Sequence, residues 1–240
     1  MFHYIYCIYF IIGLIEVLNA IIVQSGNDII NCFSKSNGEV ILSIDSKIDV
    51  TKEIVINDSI KKLSIVGNSV DSARLFLRYP FHFNTNLEEI EIKNISINGN
   101  LFFKKNNKKI IFNSVNLNGN IDSDFDEDSN NYIEITELTY KPTNESFENC
   151  INLSGNIKIN KSHFYGNSSC HNRLLHYNGF EKYQFELKKS FFNGEYECPF
   201  LSIESALKAD IETSFFEKGY SSSIIDGGYI KKKKKKKNYY

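Results

Sequence analysis

Apolar residues in this chain return in one short pattern: apolar-x-apolar, two polar or small residues, apolar-x-apolar, then often Gly or Asn. The clearest copy is Ile90, Ile92, Ile95, Ile97, followed by Asn98-Gly99-Asn100. It recurs as Ile110, Phe112, Val115, Leu117 with Asn118-Gly119-Asn120, and as Ile133, Ile135, Leu138, Tyr140. Looser copies are Ile157, Ile159, Phe164; Phe185, Leu187, Phe192; and Ala209, Ile211, Phe216. Starts at 90, 110, 133, 157, 185 and 209 lie 20, 23, 24, 28 and 24 residues apart, a period that predicts a solenoid. Related steps begin earlier, at Leu42-Ser-Ile44, Ile48-Asp-Val50, Ile54-Val-Ile56, Leu63-Ser-Ile65, Leu75-Phe-Leu77 and Phe81-His-Phe83.

Within each copy the alternation has period 2 and then slips by one residue, at Lys93-Asn94, Asn113-Ser114, Thr136-Glu137, Asn160-Lys161, Lys188-Lys189 and Glu212-Thr213. A period-2 strand keeps one face apolar, and one extra residue inverts that face unless the chain bends there. Each slip therefore predicts a corner between two short strands, and Asn-Gly predicts a second corner, since those residues tolerate positive φ. Short strands joined by corners at a constant period describe a chain coiling around a core. Ile90, Ile92, Ile110, Phe112, Ile133, Ile135, Ile157, Ile159, Phe185 and Leu187 are the expected inward columns.

The expected layout is a signal peptide at 1–20, a leader or N-terminal cap at 21–39, repeats over 40–230 and a disordered poly-Lys tail at 231–240. Residues 4–15 form an apolar run ended by Glu16, of signal-peptide length and too short to span a bilayer comfortably. A membrane association follows only if that segment stays uncleaved. Net charge is −1 over 240 residues, but Lys231–Lys237 supply seven positive charges and the body is mildly acidic. Such a body is a poor nucleic-acid surface, because phosphate binding needs clustered Lys or Arg on the folded face.

The Ile90–Asn100 motif and its copies resemble the right-handed parallel β-helix proteins of the pectin-lyase-like superfamily. They are similar above all to secreted, Asn-rich repeat versions from low-GC eukaryotes such as anaerobic gut fungi. The resemblance covers about four fifths of the chain and implies an all-β, right-handed parallel β-helix solenoid. The rival is a leucine-rich-repeat solenoid, whose template Ile60-x-x-Leu63-x-Ile65-x-x-Asn68-x-Val70 fits. Its required Asn or Cys is replaced in later copies by Ile95, Val115, Leu138 and Ser162.

Candidate chemistry is sparse. Hydrolases of the resembled fold use Asn-Thr-Asp, Asp-Asp, Gly-His-Gly and Arg-x-Lys motifs, none of which occurs here. Lyases of the fold need a basic residue beside Ca²⁺-binding carboxylates. Arg74 with Arg78 and His82, and His171 with Arg173 and His176, are the basic groups on offer. Asp122, Asp124, Asp126 and Asp128 alternate as weak Ca²⁺ candidates, but the EF-hand register fails at Glu127 and Ile133, and no cofactor is expected. Phe164, Phe192 and Phe216 share one step and read as an internal aromatic stack. Their neighbours His163, Phe191 and Phe215 would then face outward as a binding strip.

With Cys7 removed by cleavage, Cys32, Cys150, Cys170 and Cys198 remain for an oxidising compartment. Cys170 and Cys198 each lie 13 residues after a repeat start, at 157 and 185, which predicts stacking and a candidate disulfide. Asn57, Asn94, Asn144, Asn152, Asn160 and Asn167 carry Asn-x-Ser sequons, although Asn and Ser are common enough here for chance to supply several. The expected function is a secreted or cell-surface, non-catalytic β-helix interaction or matrix protein, or part of a longer one, whose partner is a polysaccharide or an extracellular protein. The alternative is a degenerate polysaccharide lyase or glycoside hydrolase.

Overall fold

A computed structural model describes residues 20–84, 86–220 and the backbone of 231–232. Their strands pair in parallel throughout and stack as a β-helix of about eight coils. The segment ahead of the first coil forms β1 (Ala20–Ile22) and α1 (Gly26–Lys35), the only helix among the described residues. Ser25 caps α1 by accepting from the Asp28 amide at 3.2 Å, and the Asp28 carboxylate reaches back to the Gln24 amide at 3.1 Å. This reciprocal arrangement resembles a capping box. The helix buries Ile29, Cys32 and Phe33 against the open end of the solenoid core, with the Phe33 ring 6.0 Å from Phe81.

Each coil contributes up to three strands, one to each of three columns. The first column holds β1, β2 (Gly38–Ile44), β4 (Ile60–Gly67), the leading halves of β7 (Glu89–Asn98), β9 (Lys109–Asn118) and β11 (Tyr132–Lys141), then β13 (Asn156–Asn160), β16 (Gln184–Lys188) and β19 (Lys208–Glu212). The second holds β3 (Lys47–Val50), β5 (Arg74–Leu77), the trailing halves of β7, β9 and β11, then β14 (His163–Tyr165), β17 (Phe191–Asn193) and β20 (Phe215–Glu217). The third is a separate sheet of β6 (Phe81–His82), β8 (Leu101–Lys104), β10 (Ile121–Asp124), β12 (Phe147–Ser154), β15 (Cys170–Asn178), β18 (Leu201–Glu204) and β21 (Lys231–Lys232). Of the expected tail only Lys231–Lys232 is described, paired beside Ser202–Ile203; residues 233–240, residues 221–230 of the expected repeats and residues 1–19 of the expected signal segment 1–20 lie outside the described residues.

The inward columns run as the hydrophobic pattern requires. Leu42, Ile65, Ile92, Phe112, Ile135, Ile159, Leu187 and Ile211 stand in unbroken register across eight strands. All ten expected core residues are buried. At each of the six slips the second residue has left-handed backbone: φ is 51° at Asn94, 53° at Ser114, 55° at Glu137, 48° at Lys161, 49° at Lys189 and 50° at Thr213. One left-handed residue turns the chain while restoring the inward phase, so the slip and the bend are the same event.

Two hydrogen-bond ladders hold the coils at their corners. Asn84, Asn107 and Asn131 form one between the third and first columns. Asn84 Nδ2 donates to Ile56 O at 3.0 Å, Asn107 Nδ2 to Asn84 O at 3.1 Å and to Leu87 O, and Asn131 Nδ2 to Asn107 O at 2.7 Å. The second ladder starts where β strands begin to break at the first corner. There Ser162, Ser190 and Ser214 replace the apolar Ile95, Val115 and Leu138 of earlier coils. Leu138 N donates to Ser162 Oγ, Ser162 N to Ser190 Oγ, and Ser190 N to Ser214 Oγ, at 3.1–3.2 Å.

Candidate functional site

The three outward faces differ sharply in charge. The first is a ladder of opposite charges: Lys62–Glu89 at 3.2 Å, Lys93–Glu91 at 2.7 Å, Lys188–Glu186 at 3.2 Å and Lys188–Glu212 at 3.5 Å among others. These exposed pairs neutralise one another and offer little to a ligand.

The second face carries two outward files. One runs Lys47, Arg74, Ser96, Asn116, Thr139, His163, Phe191, Phe215 in continuous register. The other runs Asp49, Phe76, Asn98, Asn118, Lys141, then Tyr165, Asn193 and Glu217. Carboxylates occur only at its two ends. Between them a groove of about 320 Å³ is bounded by Arg74, Phe76, Asn98, Asn116, Asn118 and Lys141. Beyond it lies an aromatic patch: His163 meets Phe191 edge-on at 5.9 Å, Phe191 meets Tyr165 at 6.2 Å, and Lys141 Nζ sits 5.2 Å over the Tyr165 ring. Phe215 is 68% exposed, whereas Phe164 and Phe192 stack inside at 4.5 Å with Phe216 next at 5.0 Å. The structure thus brings the strip residues His163, Phe191 and Phe215 into one outward file and sends their neighbours into the core.

The third face gathers acidic and basic groups from successive coils. Its outward file is His82, Phe102, Asp122, Asn152, His176, Ser202. A cavity of about 490 Å³ is lined in part by Glu148, Asn152, Arg173, His176 and Glu204. It adjoins one of about 200 Å³ between Phe102, Asn120, Phe147 and Glu148. Arg173 Nε and Asn120 Oδ1 are buried without hydrogen-bond partners among the described residues. The basic group of Arg74, Arg78 and His82 does not assemble. Arg74 belongs to the second face, His82 stacks on Phe102 at 4.9 Å on the third, and Arg78 is exposed at the turn between. Of the other basic group, Arg173 and His176 line the larger cavity and His171 is exposed. Sequence reading missed Phe102, Asn120 and Glu148. The signal lay in the step after each Asn-Gly corner, where Leu101-Phe102-Phe103 and Ile121-Asp122-Ser123 repeat at the same 20-residue offset as Ile90 and Ile110.

The aspartate run does not converge. Asp124 pairs with Lys104 at 3.4 Å, Asp126 accepts from Ser129 Oγ at 2.7 Å, and Asp122 accepts from Asn152 Nδ2 at 3.0 Å. The Ser129 bond holds the Asp126 carboxyl below its ordinary range. Among the sequons, Asn94 and Asn144 are exposed, and Asn160 is half-buried. The amides of Asn57, Asn152 and Asn167 donate to Ser34 O, Asp122 and Thr143 O.

The expected Cys170–Cys198 bridge is corrected. Cys170 bonds Cys150, at a Cα separation of 5.2 Å, and Cys198 is a buried free thiol. The cause is a change in corner length. Tyr165 pairs with Asn193, an offset of 193 − 165 = 28, but Leu175 pairs with Leu201, an offset of 201 − 175 = 26. A phase of 28 carried past that corner no longer holds. Cys198 lies instead against Gly166, where an added Cβ would overlap its Sγ. The Cys150–Cys170 pair sits beside a register shift in the β12–β15 pairing, between Phe147 and Asn149, with Cys170 opposite Phe147. Burial pushes the Cys198 thiol up to about 12, so it stays protonated and unreactive at neutral pH. No family model matches the chain, and neither the curated proteins nor the solved structures contain a match for it.

Proposed function

We propose that this is a secreted or cell-surface interaction protein that binds an extended polysaccharide along the second face, without transforming it. The observation that carries this reading is the outward file that places His163, Phe191 and Phe215 in register beyond a groove free of carboxylates. Eight strands at about 4.8 Å give the face a length of roughly 34 Å. One pyranose of an extended chain advances by nearly one strand spacing, so successive sugars meet equivalent side chains. Aromatic rings offer flat apolar area to sugar C–H faces, and the Asn files offer donors and acceptors to hydroxyls. Arg74 and Lys141 suit a neutral or acidic glycan in a body that is otherwise mildly acidic. Asn94 and Asn144 are the sequons best placed for glycosylation, and an oxidising compartment accords with the Cys150–Cys170 bond.

The test is affinity electrophoresis on a panel of neutral and uronate polysaccharides. At least one should retard the protein, and Phe191→Ala with Phe215→Ala should abolish that retardation while leaving melting unchanged. Binding that survives this double change would reject the second face as the site. The enzymatic alternative rests on the acids and bases collected on the third face. It would be supported by release of new reducing ends or unsaturated products from the same panel.

A further inference from the structure

We infer that the third face holds a second binding site, separate from the polysaccharide face, that accepts a single neutral pyranose ring. The site is the cavity of about 200 Å³ bounded by Phe102, Asn120, Asp122, Phe147, Glu148 and Asn152. Ligand pockets for drug-sized molecules occupy about 300–1,000 Å³, so this one suits one ring and not a polymer.

Asn120 supplies the strongest indication. It is 2% exposed, yet its Oδ1 makes no hydrogen bond to any described residue. A buried acceptor left unpaired is destabilising, and each such group asks for an explanation. A ligand hydroxyl at the cavity wall supplies the missing donor. Two carboxylates are held ready beside it. Asp122 Oδ1 accepts from Asn152 Nδ2 and from the Ser123 amide, both at 3.0 Å. Glu148 Oε1 accepts from Asn172 Nδ2 at 2.8 Å. These bonds fix each carboxylate through one oxygen and leave the second to accept from hydroxyls, the pairing that a vicinal diol provides. Phe102 is held by its stack on His82, at 4.9 Å and 17° between planes, and with Phe147 it supplies apolar walls for the C–H face of a ring. Among the described residues no Lys or Arg lines this cavity, so two carboxylates repel an acidic sugar. Rejection of acidic sugars sets it apart from the second face, which suits neutral or acidic glycans, and nothing in it depends on the second-face reading.

The test uses the full chain and a panel of methyl glycosides of neutral hexoses and pentoses, with galacturonate as the acidic counterpart, read by saturation-transfer NMR and calorimetry. One or more neutral glycosides should bind. Asn120→Leu and Glu148→Ala should each weaken that binding by about tenfold or more, the equivalent of one hydrogen bond to a charged or buried partner. Phe191→Ala, on the other face, should leave it unchanged. Glu148 is exposed, so its variant remains informative if Asn120→Leu misfolds. Failure of every neutral glycoside to bind, full binding by either variant, or tighter binding of galacturonate would each overturn the proposal. Asn120→Leu with raised melting and undiminished binding would show that the orphan oxygen is only a packing defect.

Discussion

Replacing Ser190 by Ala should break the coil-to-coil ladder at one defined rung. Ser190 is 1% exposed. Its Oγ accepts from the Ser162 amide at 3.1 Å and donates to Lys188 O at 2.8 Å. Lys188 O also accepts from the Lys161 amide at 3.1 Å, so that carbonyl keeps a partner when the hydroxyl is removed. The Ser162 amide does not; it is left buried and unpaired, which costs about 1–3 kcal/mol. Ser214, in the last described coil, is itself half-exposed, so the same deletion there opens the Ser190 amide to water. Water can replace the lost bond there, so the effect should be at the low end, about 0.5–1 kcal/mol. In thermal unfolding each kcal/mol lowers Tm by roughly 2–4 °C for a chain of this size. Coils of a solenoid can open separately, so amide exchange at Ser162 is the sharper assay. Its protection should fall about tenfold for every 1.4 kcal/mol. Equal effects of Ser190→Ala and Ser214→Ala, or unchanged Ser162 protection, would refute the ladder as a source of stability.

Four further perturbations test other layers of the fold. Ile92→Asp places an unpaired charge in the longest inward column and should cost several kcal/mol; a soluble variant with unchanged melting would reject the register. Thr213→Asn keeps the left-handed corner at φ 50° but removes a β-branched side chain from it, and should raise the unfolding free energy by about 0.5–1 kcal/mol, read as a higher urea midpoint at unchanged slope. Non-reducing peptide mapping should show Cys150 linked to Cys170, and Cys170→Ser should cost roughly 3 kcal/mol through loss of a 20-residue closure. Cys198 should resist alkylation until the chain unfolds. Its folded pKa of about 12 exceeds the ordinary 9.0, so the folded state holds this proton more tightly. The thiol's contribution to stability is therefore full below pH 9 and is lost as pH rises toward 12; alkaline melting curves of Cys198→Ala lacking that loss would confirm it.

The inward half of this fold was legible because two constraints act on the same residues. Burial demands an apolar side chain at every second position, and the slip demands a bend. Asn94, Ser114, Glu137, Lys161, Lys189 and Thr213 share no chemistry, yet all adopt the same φ region. The pattern around them, not their propensity, identified the corner. The Asn ladder was hidden for the opposite reason. Asn84, Asn107 and Asn131 sit in loops of unequal length where Asn is common throughout, and only their buried carbonyl partners distinguish them from surface turns.

Outward positions obey no such rule, and their neighbours are set by corner length alone. The second-face strip was found because His163, Phe191 and Phe215 adjoin core residues whose phase is fixed on the same short strands. The third face lies one corner further on, and its offsets vary widely. Phe102 to Asp122 is 20, Asp122 to Asn152 is 30, Asn152 to His176 is 24 and His176 to Ser202 is 26. An error of one residue at any corner exchanges inside for outside on that strand, and an error of two misaligns the file, as happened with Cys198. Loop length is nearly free thermodynamically, so little in folding holds these offsets constant. The third face can therefore change its cluster of Asn120, Glu148 and Arg173 by altering a corner while the columns around Ile92 and Ile135 stay intact. A site built there is specified by loop lengths as well as by the hydrophobic pattern, and that pattern discloses only its first strands, around Phe102 and Asp122, not the neighbours that later corners bring to them.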